Sequence, residues 1–224
     1  MKINTKEITL VALFAGLTAV GAFISLPLGP VPITLQTIFV LLSGILLGAK
    51  LGALSQIVYI ALGLIGVPIF SGFTGGPQSV LKPSFGFIIG FVFAAFIVGK
   101  IAENNSQFTI HNSQFEKENS QITTHSSQLT RDNHPATGGT MSTYKGSRIW
   151  MASIVGTIVI YLFGIPYMYY ILNVVMSKGL SLDAILKMGL WMFIPGDILK
   201  LIIVSILGIK IKPILKLSSR VYPL

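Results

Sequence analysis

Six apolar stretches recur along the chain, at roughly residues 8–28, 32–49, 51–67, 84–101, 147–173 and 189–209. A helix needs about 20 apolar residues to cross a ~30 Å hydrocarbon core, so the pattern predicts membrane helices. Between Ile33 and Gly66 the only charge is Lys50. One helix of that length would reach ~50 Å at ~1.5 Å per residue. Two helices turning at Gly48-Ala-Lys-Leu-Gly52 fit better. Each is short, which leaves room for tilt, a kink or partial re-entry.

The positions of Lys and Arg orient these segments. Lys2 and Lys6 precede the first, Lys50 joins the second and third, Lys100 ends the fourth, Arg148 starts the fifth, and Lys210, Lys212, Lys216 and Arg220 follow the sixth. With six spans all of these fall on one side, which the positive-inside rule makes cytoplasmic. The predicted fold is an all-α integral membrane protein, a six-helix bundle with both termini cytoplasmic. Lys82, in an outer loop, breaks the pattern.

Residues 104–146 differ in kind. A seven-residue repeat begins at Asn105, Asn112, Asn119 and Ser126, but only one apolar position per repeat is filled, by Phe108, Phe115, Ile122 and Leu129. A coiled coil needs two, and the dominant Ser, Asn and Thr favour turns over helix interiors. The expectation is a disordered cytoplasmic insertion between helices four and five. One membrane domain, residues 1–103 and 147–224, flanks it. His111, His125 and His134 all lie in the insertion. With no rigid element to hold them, no metal site is expected.

Composition agrees with a membrane protein: 52% of the 224 residues are hydrophobic and 10% are charged, against about 25% charged in soluble domains. The net charge of +9 does not point to nucleic acid, because the basic residues sit at the ends of apolar segments. With no Cys, disulfides, thiolate nucleophiles and zinc–cysteine sites are excluded. The first apolar stretch is too long for a cleavable signal and lacks a clear small-x-small site after it. An enzyme reading fails because no His lies in any span and no Ser/His/Asp set can be assembled. No cofactor is expected.

Three features carry candidate chemistry. In Trp191-Met-Phe-Ile-Pro-Gly-Asp-Ile-Leu-Lys200, Asp197 and Lys200 stand within an apolar segment. A charge at that depth costs roughly 2.5–3.5 kcal/mol on insertion scales and marks a functional site by default. Spacing i, i+3 puts both on one helix face, able to neutralise each other or to share a polar ligand. In the loop from Phe70 to Phe87, Gly72, Gly75 and Gly76 permit close backbone approach. Phe70, Phe73, Phe85 and Phe87 can wall a pocket, and Ser84 can cap the fourth helix. On the first helix, Ala15-x-x-x-Ala19 is a small-residue face suited to close helix packing, within the bundle or against a membrane partner.

Together, Val31-Pro-Ile-Thr-Leu-Gln-Thr37, the block from Gly63 to Gly72 with Lys82-Pro-Ser-Phe-Gly-Phe87, and Pro195-Gly-Asp-Ile-Leu-Lys200 resemble the BioY family, the biotin-binding S component of energy-coupling factor (ECF) vitamin transporters. The resemblance covers nearly the whole chain except about 104–145. It implies a protein of the bacterial plasma membrane that captures biotin in an outward-facing pocket. It also implies partnership with the transmembrane subunit EcfT and two ATPase subunits. The family's docking surface for EcfT falls on Ala15 and Ala19, its acidic and basic binding residues on Asp197 and Lys200, and its binding loop on Phe70 through Phe87. Thr74 and Ile88 stand where some members carry Asn and Arg.

For biotin, Asp197 would accept ureido N–H groups, and Thr74, Ser84 or the backbone near Gly75 and Gly76 would donate to the carbonyl. Phe70, Phe85, Phe87 and Tyr59 would form walls, and Lys200 or Lys82 would meet the carboxylate. Two other functions stay open at this point: an S component for another vitamin, and a stand-alone transporter using Asp197 as a proton site.

Overall fold

The computed structural model describes residues 4–102 and 141–220. All but six residues of the 104–146 insertion, and with them its seven-residue repeats and three histidines, lie outside the described residues. The described chain is helical apart from one two-stranded hairpin.

Helix α1 runs from Thr5 to Phe23. Its first turn is closed by Asn4, whose N–H donates to Glu7 Oε2 at 3.0 Å. The apolar stretch continues to Leu28, but the helix does not. Pro27 disfavours helical backbone at Leu26, so Ser25–Leu26 (β1) turns back and pairs antiparallel with Ile33–Thr34 (β2), Ser25 opposite Thr34.

Helix α2 spans Gln36–Leu47 and α3 spans Ala49–Ile65. They meet at Gly48, whose φ of 87° is closed to other residues, within the predicted turn. Helix α4 covers Phe85–Ala102. Helix α5 runs from Met141 to Tyr170 and widens into a π turn at Ile171–Val175, so it starts six residues before the predicted boundary at 147. A short α6, Leu182–Leu186, is capped by the Ser181 hydroxyl and passes through a second π turn, Lys187–Trp191, before α7 starts at Ile194 and runs to Arg220.

By length and hydropathy, Thr5–Phe23, Phe85–Ala102, Gly146–Val175 and Leu182–Lys212 can each cross a membrane; Gln36–Leu47 and Ala49–Ile65 are shorter apolar helices. At 12 residues, α2 is ~18 Å long at ~1.5 Å per residue, short of a full crossing. The expectation of two short helices in this stretch holds, and four long candidate spans stand beside them.

The short helices gain their place through glycine. A Cβ on Gly44 of α2 would sit 2.5 Å from Ala95 O of α4, and one on Gly99 of α4 would sit 2.2 Å from Ala49 N of α3. Such contacts are how helix backbones approach closely where the hydrophobic effect cannot drive association. A fully buried polar knot adds to this: Thr18 of α1 donates to Gln56 of α3 at 3.4 Å, and Gln56 donates to Ser43 of α2 at 3.3 Å. At the far end of α4, Lys212 Nζ donates to Ala102 O at 2.7 Å and ties α7 to a helix C-terminus, where a cation is favoured.

Gly44→Ala is expected to destabilise the bundle by about 1–3 kcal/mol through overpacking. Gly16→Ala, whose Cβ would meet nothing within 4 Å, should leave stability unchanged. Thermal unfolding of both variants in detergent checks the contrast.

Candidate functional site

The break between α6 and α7 creates the site. Pro195 and Gly196 fall in the first turn of α7, where a missing proline N–H costs nothing. The first backbone bond beyond them is Asp197 N–H to Phe193 O at 2.9 Å. The Asp197 carboxylate therefore sits at the positive end of the helix dipole. Lys200 follows one turn later and donates to Asp197 Oδ1 at 2.9 Å. From α5, the Tyr161 hydroxyl donates to the other oxygen, Oδ2. Asp197 and Lys200 are 8% and 4% exposed, so the negative charge is compensated from two sides, as burial requires.

These groups line a small chamber of about 50 Å³ with Gln36, Thr37, Ser84, Phe87, Thr157 and Phe193, among others. Its walls are aromatic: Phe87 packs edge-on to Tyr161 with centroids 6.0 Å apart and is stacked with Phe193 at 6.4 Å. Gln36 is held from behind, its amide donating to the Tyr59 hydroxyl at 2.7 Å, while Tyr59 donates to Ile69 O at 3.2 Å.

A second chamber of about 270 Å³ adjoins it, and Pro32, Ser84 and Ile88 line both. The loop after α3 builds this outer space. Phe70 and Thr74 exchange backbone hydrogen bonds of 2.9 and 3.3 Å, and Gly76 N–H donates to Gly63 O at 2.7 Å. The Phe70 ring lies where a side chain on Gly63 would be. From α5 the Tyr167 hydroxyl donates to Val80 O and fastens the short 3₁₀ turn Pro77–Leu81. Lys82 Nζ donates to Thr74 Oγ1 at 2.8 Å.

The structure brings together part of the expected set. Asp197, Lys200, Ser84 and Phe87 line the inner chamber, and Phe70, Thr74, Lys82 and Ser84 the outer. Tyr59, Phe85, Gly75 and Gly76 line neither. Tyr59 is fully buried behind Gln36, Phe85 packs between Phe70 and Tyr167, and Gly75 lies against the backbone of Val67. Ala15 and Ala19 also require correction as a docking face: at 4% and 8% exposed they are packed into the bundle core, on the side of α1 that meets α2 and α3. The small residues on the outward side are Ala12 and Gly16.

Tyr161, Thr157, Gln36 and Phe193 were not anticipated as lining residues. Gln36 lies within the Val31–Thr37 motif, the one sequence signal that could have flagged it. Tyr161 is 36 residues from Asp197, and nothing in spacing pairs them.

The model of the BioY family matches residues 1–217. The chain belongs to the BioY family. A Pyrococcus horikoshii relative named "Probable biotin transporter BioY" is 54% identical over 96 residues, 43% of this chain and 59% of that protein. The "Biotin transporter BioY" of Rhizobium etli is 30% identical over 208 residues, 92% of each chain. Among solved structures, a 2.1 Å crystal structure of the S-component for biotin from an ECF-type ABC transporter matches with a TM-score of 0.64 and 26% identity, covering 93% of this chain and 91% of that one. BioY members are transporters, not enzymes, and with its several apolar helices this chain is a membrane protein.

Removing one member of the buried pair leaves a charge uncompensated, a change that costs about 3–5 kcal/mol. Lys200→Met should lower thermal stability by that order, and Lys200→Met/Asp197→Leu should recover most of the loss. Equal loss in single and double variants would contradict the pairing.

Proposed function

We propose that this chain captures biotin from outside the cell and serves as the substrate-specific S component of an ECF transporter. The observation that carries the reading is the compensated Asp197 carboxylate facing a chamber among the helices, with a second chamber adjoining it. The family, the relatives' names and the solved S-component support the same ligand.

Biotin presents a polar ureido ring, an apolar thioether ring and an aliphatic acid. In the proposed mode the ureido N–H groups approach Asp197, whose oxygens keep free lone pairs beside the Tyr161 and Lys200 bonds. Lys200 and the Ser84 hydroxyl are the donors for the ureido carbonyl. Phe87, Phe193 and Ile160 enclose the thioether ring. Apolar burial supplies most of the affinity, and the few polar groups fix orientation.

The same reading makes the chain a six-helix protein of the plasma membrane with both termini cytoplasmic, because Lys50, Lys100, Arg148 and Lys210 then lie on one side. EcfT and two ATPase subunits are the proposed partners, since nothing in the sequence forms a phosphate-binding loop. On α1 the meeting surface is the outward face of Ala12 and Gly16, where small residues admit a second helix.

Equilibrium binding of labelled biotin to purified protein in detergent tests the site. A hydrogen bond to a charged group contributes about 1.5–3 kcal/mol, so Asp197→Asn should weaken binding more than about tenfold, and Ile88→Val should change it little. Unaltered affinity in Asp197→Asn contradicts the assignment. For docking, Ala12→Trp and Gly16→Trp should each retain biotin binding and abolish uptake with co-expressed ECF subunits; persisting uptake moves the partner surface elsewhere.

A further inference from the structure

The outer chamber contains a cation, Lys82, that no acid among the described residues neutralises. Lys82 makes no salt bridge among the described residues; it donates to the neutral Thr74 hydroxyl at 2.8 Å. Ser79 lines the same chamber. It is 2% exposed, and its Oγ has no hydrogen-bond partner among the described residues. A buried, unpartnered hydroxyl in a native site calls for an explanation, and here it stands in one chamber with a lysine and a threonine hydroxyl. The Thr74 hydroxyl accepts from Lys82 and donates to Ser71 O at 3.1 Å, so the donors left for a ligand are the Lys82 ammonium and the Ser79 hydroxyl, and among the described residues no carboxylate lines this space.

We propose that Lys82 and Ser79 form a carboxylate subsite that holds the acid end of the ligand, with Thr74 positioning the lysine. The inference rests on the biotin reading above and decides between the two lysines. Lys200 lies in the inner chamber and is bonded to Asp197, so it belongs to the end that takes the ureido head. Lys82 stands beyond the shared neck of Pro32, Ser84 and Ile88, where an aliphatic chain threading the neck would deliver its acid. Ile88, 8% exposed at that neck, offers the chain apolar contact and no charge. Charge-assisted bonds to an ionised acid are the strong ones in such a site. The consequence is selectivity: the protein takes the free acid and discriminates against forms whose acid is capped as an amide, as in biotin joined to an amine.

The test compares biotin with biotinamide, uncharged and of nearly equal size, by equilibrium binding to the purified full chain. The wild-type protein should prefer the acid by about tenfold or more, the scale of one charge-assisted bond. Lys82→Gln should erase the preference by weakening biotin and leaving biotinamide unchanged, which also shows that the variant is folded. Lys82→Arg should keep the preference, and Ser79→Ala should reduce it about threefold. An unchanged acid-to-amide ratio in Lys82→Gln overturns the subsite while leaving the biotin reading intact. Failure of the wild-type protein to bind either compound overturns both.

Discussion

The structure depends on holding one carboxylate in an apolar bundle. Asp197 is tolerated there because a lysine one turn on, a tyrosine from the neighbouring long helix and the N-terminus of its own helix all favour the charge. Each compensation demands architecture. The dipole needs α7 to start inside the apolar segment, hence the π turn Lys187–Trp191 and Pro195 in the first turn. The Tyr161 bond needs α5 against α7, and the chamber needs α2 and the loop end of α4 to stop short of filling the gap.

A site of this kind must be firm where it recognises and open where it admits. The helices meet through glycine contacts and a buried polar knot, which give α1 to α4 little freedom to slide. The loop after α3 is held instead by local and side-chain bonds: the Phe70–Thr74 pair, Gly76 to Gly63, Tyr59 to Ile69, Lys82 to Thr74 and Tyr167 to Val80. Phe73 within it has a φ of 56°, is 67% exposed and stacks on Phe23 with centroids 4.6 Å apart.

Much of this was legible in the sequence, because lipid constrains it so severely. Apolar run lengths located α2 and α3 and the turn at Gly48. The cost of burying charge singled out Asp197 and Lys200. What escaped depended on packing between distant segments. The end of α1 was misjudged by five residues because hydropathy does not distinguish a helix from a proline-bordered hairpin. Ala15 and Ala19 suggested a free surface, but a small-residue stripe is equally suited to inward packing, and the second stripe at Ala12 and Gly16 faces out. Tyr161 could not be paired with Asp197 because the helix rotation that brings them together is set by contacts across the bundle. Tyr59 and Phe85 look like wall residues by type, yet both stand behind the lining.

The most direct measurement is a structure of the protein determined with biotin bound. The account predicts the ureido ring within hydrogen-bond reach of Asp197, enclosed by Phe87 and Phe193, with Tyr161 still on the carboxylate. Ligand found elsewhere, with the Asp197–Lys200 pair untouched, would contradict it and reduce that pair to a structural tie.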